Sequence, residues 1–234
     1  MVNKTNYDKI AAAYIQHAAD KSSWNNLYER PYMLSIFDDF RHKKLLDAGC
    51  GTGFYSKYAI DKGADVIGVD ASKKMLEHLG KTIVSPKLKV YKADLADGFP
   101  FIEPGSLDYI ICSLALHYIE NWEPTIAEFY RVLKKKGKIY ISTHHPFADY
   151  LILKKKSYFD KYLVEDEWGS GENSFKVSFY TRSLSDLLKP FLQSAFNILS
   201  IDEPLPTPEC ERVAPKIFQT LKNQPAFIFL VLQK

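Results

Sequence analysis

Seven consecutive residues, Asp47-Ala-Gly49-Cys-Gly51-Thr-Gly53, set three glycines on alternate positions between an apolar run and an amphipathic one. Glycines in such a turn let the backbone approach a ligand closely and aim amide N–H groups at it from a helix start. Acidic residues recur at the ends of the next two apolar runs. Asp70 closes Val66-Ile-Gly-Val-Asp70, where a carboxylate can accept both hydroxyls of a ribose. Asp94 follows the next run, where a carboxylate can accept from the amino group of an adenine, and Leu95 beside it supplies an apolar wall. Ser113-Leu-Ala-Leu-His117-Tyr118 follows the run after that. Singly, Asp70 could cap a helix, Asp94 could fill a turn and His117 could be structural. Their order along the chain argues for one cleft.

The elements that must position these residues are short. Lys44–Ala48, Asp65–Val69, Leu88–Tyr91, Leu107–Ser113 and Lys138–Thr143 read as strands. Tyr55–Lys62, a segment capped by Ser72 and running to about Lys81, and a segment from Pro124 to Lys135 read as the helices between them, with Gly137 ending the last. Ser183–Phe191 reads as a further Ser-capped helix, and Phe196–Ile201 and Ala226–Leu232 as two more apolar runs. Pro204, Pro206 and Pro208 lie between those runs and are expected to exclude regular structure there. Strands alternating with helices predict an α/β fold with a parallel sheet, and ligands in such sheets bind outside the carboxyl ends of the strands.

Two segments fall outside this alternation. Asn3–Phe40 reads as two helices, with Tyr7, Ile10, Tyr14 and Ile15 on one face of the first and Leu34, Phe37 and Phe40 on one face of the second. His144–Thr181 reads as a lid, containing Trp168, a Gly169–Gly171 turn and a half-exposed strand over Phe175–Tyr180.

The motifs LLDAGCGTG (45–53), VIGVD (66–70), Asp94-Leu95, LDYIICSLALHYI (107–119) and RVLKKKGKIYIS (131–142) occur in an order that resembles the class I S-adenosylmethionine-dependent methyltransferases of the methyltransferase 11 type. Tyr7-Asp-x-x-Ala-x-x-Tyr14 is similar to the cap helix that precedes the core in many relatives, where a tyrosine covers the cofactor. The resemblance implies a Rossmann-like, doubly wound seven-stranded sheet with the last strand antiparallel, Phe196–Ile201 and Ala226–Leu232 supplying strands six and seven. It implies S-adenosyl-L-methionine as cofactor and S-adenosyl-L-homocysteine as product. Asp47, Gly49, Gly51 and Gly53 would surround the methionine moiety, with Cys50 a common variant. Asp70, with Ala71 and Met75 beside it, would serve the ribose, Asp94 and Leu95 the adenine, while Ser113 and Leu114 lie behind the cofactor and Tyr14 covers it.

The whole chain, residues 1–234, is then one domain: a helical cap (1–42), a cofactor-binding core (43–143), a lid insertion (144–181) and a C-terminal helix with two strands (182–234). A nicotinamide dehydrogenase would need G-x-G-x-x-G, and its third glycine falls on Phe54 or Ser56 in the two possible registers. No P-loop motif occurs, and no spacing suggests a metal site. Methyl transfer needs alignment above all, with a base where the acceptor must lose a proton. His145, then His144, then His117 are the candidate bases. Arg30, Tyr28, Trp168 and Tyr180 are the candidate acceptor contacts, with Arg182 a second cation for an anionic group.

Composition narrows the partners. Lys+Arg is 31 against 28 Asp+Glu, a net charge of +3, too small for a dedicated nucleic-acid binder. No proline pair follows the fourth strand and Cys112 lies inside that strand, which argues against base methylation. The lysine runs 134–136 and 154–156 read as a solvated helix end and a solvated loop, with contact to a phosphate or an anionic substrate as the alternative. Three cysteines without paired spacing point to a reduced, cytoplasmic protein, and no apolar run spans a membrane. The expected partner is a small-molecule acceptor, with RNA or protein targets and a non-catalytic cofactor-binding module as alternatives. A monomer or homodimer is expected. The 234 residues include 15 Tyr and 15 Phe, many of them in the cap and lid, where they read as the lining of an acceptor pocket.

Overall fold

The computed structural model describes residues 6–153, 156–169 and 174–234. Lys154 and Lys155, and Ser170 and Gly171 of the expected turn, lie outside the described residues. Five strands, β1 (Lys44–Ala48), β2 (Asp65–Asp70), β3 (Leu88–Lys92), β4 (Leu107–Ser113) and β5 (Leu133–His144), run parallel in the order β3-β2-β1-β4-β5. The sheet is completed by β9 (Phe227–Gln233) and β8 (Asn197–Asp202); β9 runs antiparallel to both its neighbours, β5 and β8. This is the doubly wound seven-stranded sheet expected from the motifs.

The central strands are buried on both faces, which is why they read as near-continuous apolar runs. On one face Leu46, Ile110, Cys112, Ile139 and Leu230 pack beneath α5 (Glu123–Val132) and α7 (Leu184–Gln193) through Phe129 and Phe191. On the other, Leu45, Ile111, Tyr140 and Phe229 pack against Met33 of α2 (Arg30–Ile36), Tyr55 and Ala59 of α3 (Phe54–Asp61), and Leu221. Met75 and Leu79 are the buried residues of α4 (Lys73–Thr82). Ser72 caps α4 and Ser183 caps α7 as expected, each side-chain oxygen accepting a backbone N–H of the first turn at 3.2 Å.

The cap consists of α1 (Tyr7–Ala19), a π-helical turn (Asn25–Glu29) and α2. The second cap helix ends at Ile36, short of the expected face: Phe37 and Phe40 leave it and pack against Tyr55, Tyr58, Tyr109 and Tyr140. The lid is α6 (Pro146–Ile152) followed by an antiparallel hairpin, β6 (Tyr162–Trp168) and β7 (Phe175–Thr181), separate from the main sheet.

Three expectations are corrected. Phe175–Thr181 is almost wholly buried, only Lys176 being exposed, because β7 is covered by α1 as well as by the loop after β4 and α6. The helix expected to reach Lys135 stops at Val132, because buried Leu133 already pairs with Leu107 in the sheet; Lys134 is therefore in β5, bonded to Asp108 at 2.9 Å. The proline-rich connection contains α8 (Pro208–Val213) and α9 (Pro215–Asn223). Pro208 and Pro215 each open a helix, where a missing N–H costs nothing.

Candidate cofactor pocket and acceptor chamber

The glycine turn folds back over the end of β2. Gly49, Gly51 and Gly53 have φ of 77°, 50° and 86°, a region L side chains rarely adopt. A Cβ on Gly49 would stand 2.5 Å from the Ala115 Cβ, so the turn and the loop after β4 meet only because this residue is glycine. Gly49 and Cys50 donate to the Val69 carbonyl, and Gly51 donates to Asp70 Oδ2 at 2.8 Å. The other Asp70 oxygen accepts from Ser72 N at 2.8 Å. Burial raises the Asp70 pKa, while these two N–H groups oppose the rise.

A pocket of about 160 Å³ opens at the carboxyl ends of β1, β2 and β4, where an open α/β sheet places its ligands. Tyr14, Gly49, Asp70, Ala71, Met75, Asp94, Leu95, Ser113 and Leu114 line it. Asp47, Cys50, Gly51 and Gly53 are not among its lining residues. Asp47 is 2% exposed, accepts Ser56 Oγ at 2.6 Å, and burial pushes its carboxyl up to about 7. Tyr7, Ala115, Tyr118, Ile119 and Ser178 also line the pocket. Tyr7 stacks edge-on against both Tyr14 and Tyr118, each pair of centroids 5.3 Å apart. The Tyr7-x-x-x-x-x-x-Tyr14 spacing on one helix face was the available signal for Tyr7; Ser178, brought by the lid hairpin, had none.

The donor set fits a nucleoside. Two carboxylates face the pocket, able to accept hydroxyl and amino hydrogens, with Met75, Leu95, Leu114 and Ile119 as apolar walls. Among the described lining residues there is no Lys or Arg to meet a pyrophosphate.

A larger chamber of about 500 Å³ adjoins it, sharing Tyr14, Leu114 and Tyr118. Leu114 holds a positive φ of 47° at this junction, its N–H bonded to the Ser142 carbonyl at 2.9 Å. A non-glycine residue in that conformation is strained, and such strain clusters at ligand sites. The chamber wall comes from α1 and the π-helical turn, from α6, from the lid hairpin through Asp166, Trp168 and Phe179, and from Ile217, Ala226 and Phe227.

His144 lines the chamber; His145 does not. His144 ends β5 opposite Phe227, stacks on His117 at 3.9 Å, and has Nδ1 3.4 Å from Asp149 Oδ1 without hydrogen-bond geometry. His145, one residue on, turns away and caps α6: its Nδ1 accepts from Phe147 N at 3.1 Å, so Nε2 carries the proton and donates to Glu203 Oε1 at 2.6 Å. Its extended backbone, φ −77° and ψ 126°, is that expected of a residue before proline. His117 is 2% exposed, 3.4 Å from Thr143 Oγ1, and burial holds its pKa well below the ordinary value, so the ring is neutral.

Of the candidate acceptor contacts, only Trp168 reaches the chamber. Tyr28 is buried against Phe227 and Phe229 and donates to the Pro204 carbonyl at 2.7 Å. Tyr180 packs at a separate void of about 10 Å³, room for one water, with its hydroxyl 3.3 Å from Glu120. Arg30 lies over the Phe54 ring at 4.0 Å and donates to the Ala18 carbonyl and to Asn26. Arg182 lies buried over the Trp122 ring at 4.0 Å, held by the Ile119 carbonyl.

Sequence reasoning missed Glu29. It is 1% exposed and accepts from Tyr55 at 2.6 Å, Ser113 at 2.8 Å and Ser142 at 2.5 Å, clasping the cap to the ends of β4 and β5. Burial raises its pKa, against the pull of the three hydroxyls.

Residues 46–141 match the methyltransferase 11 family model, a methyltransferase domain. A Haemophilus influenzae protein of uncharacterized function is 28% identical over 97% of this chain and 95% of its own length. The malonyl-[acyl-carrier protein] O-methyltransferase of Hamiltonella defensa is 28% identical over 61% of this chain and 53% of its own. The chain spans about half the length of that named relative. A solved Listeria monocytogenes structure, assigned to the S-adenosylmethionine-dependent methyltransferases, superposes with a TM-score of 0.76 at 26% identity, covering 88% of this chain and 96% of the other. No helix among the described residues is long and apolar enough to cross a membrane. Among the same residues no three His, Cys, Asp or Glu side chains converge on a metal position.

Proposed function

We propose that this chain, a class I S-adenosylmethionine-dependent methyltransferase, methylates a small-molecule acceptor held in the chamber of about 500 Å³. The observation that carries the reading is the junction at Tyr14, Leu114 and Tyr118, where a nucleoside-type pocket and an aromatic-walled chamber meet. A volume of this size suits a small ligand, and the walls exclude a folded macromolecule. Relatives named as ubiquinone biosynthesis O-methyltransferases support a small-molecule acceptor. Cap, core, lid and C-terminal strands act as one domain. Three free, buried cysteines, Cys50, Cys112 and Cys210, suit a reduced, cytoplasmic setting.

When bound, S-adenosylmethionine supplies a methyl group already activated on a sulfonium. The residues of this chain then have three tasks. Asp70 and Asp94 accept hydrogens from the nucleoside and fix its depth in the pocket. Tyr14 and Tyr118 shut the junction against water; burial pushes the Tyr14 hydroxyl up to about 12, so it stays protonated. Their rings can also face a positive charge. His144 takes a proton from the acceptor where its nucleophilic atom carries one, and Asp149 stabilises the resulting imidazolium. His145 is a positioning residue, locking α6 to Glu203.

The test is release of S-adenosylhomocysteine from S-adenosylmethionine over panels of small molecules, RNA and protein fractions. Turnover is expected with small molecules alone, and Ile152→Trp at the exposed chamber wall is expected to abolish it while S-adenosylhomocysteine still binds. Turnover indifferent to that substitution, or found only with RNA or protein, would overturn the reading.

A further inference from the structure

We infer that the acceptor carries a cationic amine next to a flat apolar group, and that the chamber holds it by that ammonium. The inference rests on the chamber being the acceptor site. Three carboxylates, Asp20, Asp149 and Asp166, line the chamber, and among the described lining residues there is no Lys or Arg. The two lining histidines do not offset them: burial lowers the pKa of His17, and His144 faces Asp149.

The partners of these carboxylates are not cationic either. Asp20 accepts from the backbone and hydroxyl of Ser22 at 2.9 and 2.7 Å. Asp166 accepts from Glu167 N and Trp168 Nε1, each at 2.9 Å. Behind the wall, Arg182 shares the neighbouring one-water void with Asp149 and feels its charge; its Nη2 is held by carbonyl oxygens and its plane lies over Trp122, while Nη1 has no hydrogen-bond partner, so Asp149 is in part offset. Among the described lining residues, Asp20 and Asp166 therefore keep a negative charge that no Lys or Arg meets.

The rest of the wall is aromatic. Trp24, Trp168, Phe179 and Phe227 offer ring faces and edges, and a ring face attracts an ammonium or stacks on a flat ligand. A carboxylate or phosphate acceptor would meet Asp20 and Asp166 and, among the described lining residues, no Lys or Arg. The ammonium is the handle by which the acceptor is held, wherever the methyl is placed.

The experiment titrates the S-adenosylhomocysteine-saturated protein with two matched series. One is tyramine, 4-hydroxyphenethyl alcohol and 4-hydroxyphenylacetate; the other is tryptamine, its alcohol and its acetate. The amine of each series is expected to bind at least tenfold more tightly than the alcohol, and the acetate not to bind. Asp20→Asn with Asp166→Asn is expected to reduce the amine preference to threefold or less, with S-adenosylhomocysteine affinity unchanged as the check on folding. Equal or tighter binding of the alcohol or acetate, still abolished by Ile152→Trp, would overturn the amine inference and leave the acceptor chamber standing. No binding sensitive to Ile152→Trp in either series would overturn both.

Discussion

The nucleoside pocket draws most of its wall from one stretch of chain, residues 49–119, with Tyr7, Tyr14 and Ser178 added from outside. The chamber beside it takes its described wall from residues 14–25, 148–153, 166–169, Phe179 and 217–227, with Leu114, Tyr118 and His144 from the strand ends. One is framed by turns pinned to a parallel sheet; the other by elements added around that sheet. On the proposed reading, donor binding is set by the parallel sheet and its turns. The acceptor's surroundings can change in the cap, lid or C-terminal helices without moving a residue of the glycine turn.

If the two regions are separable, substitutions should sort cleanly between them. The largest effect is expected from His144→Ala, which should lower kcat about a hundredfold, the range of a lost general base, and leave S-adenosylhomocysteine affinity intact in calorimetric titration. Loss of cofactor affinity in that variant would break the separation. Next, Asp70→Ala should weaken S-adenosylhomocysteine binding by about 1–3 kcal/mol, since it removes a carboxylate that also holds the Gly51 and Ser72 N–H groups.

A smaller effect is expected from His145→Ala. It should cost about 1 kcal/mol of stability through the lost α6 cap, seen as a drop of a few degrees in Tm. Its kcat should stay within threefold of the wild-type value; a tenfold loss would restore His145 as a reacting group. The smallest effect is a slope. The Asp47 carboxyl is raised from its ordinary 3.8 to about 7 by burial, so the folded state holds its proton more firmly than the unfolded chain does. That contribution is fully present below about pH 4 and is lost as pH rises through 7. Asp47→Asn, neutral throughout, should remove this component, so the Tm difference between pH 4.5 and pH 8 should differ between the two proteins. Identical slopes would show that Asp47 titrates normally.

How far each region was legible from sequence follows from how it is built. The nucleoside pocket was readable because its polar residues sit at strand ends in fixed order, and the apolar runs of a doubly covered sheet announce those ends. The sheet was readable for the same reason, whereas the helix boundary at Val132 was not: three lysines extend the helical pattern, and only tertiary pairing of Leu133 with Leu107 stops it. The chamber resisted because Asp20, Asp166 and Phe227 share no local signal and meet only after folding. His144 and His145 illustrate the limit. Neighbours at a strand end point to opposite sides, and which one faces the chamber is decided by pairing with Phe227 far along the chain. Tyr28 misled for a related reason, since an aromatic in the cap looks the same whether it lines a cavity or packs on Phe227 and Phe229.

The Glu29 clasp also has a consequence for the order of assembly. Its three hydroxyl partners lie 26, 84 and 113 residues further along the chain, in α3, β4 and β5. Tyr28, beside it, waits for Pro204, 176 residues away. The cap is therefore fastened by elements that all follow it in the chain. Contacts of such sequence separation form slowly. Until those partners are in place the buried Glu29 carboxylate has no hydroxyl to satisfy it, and the cap is not fastened to the sheet.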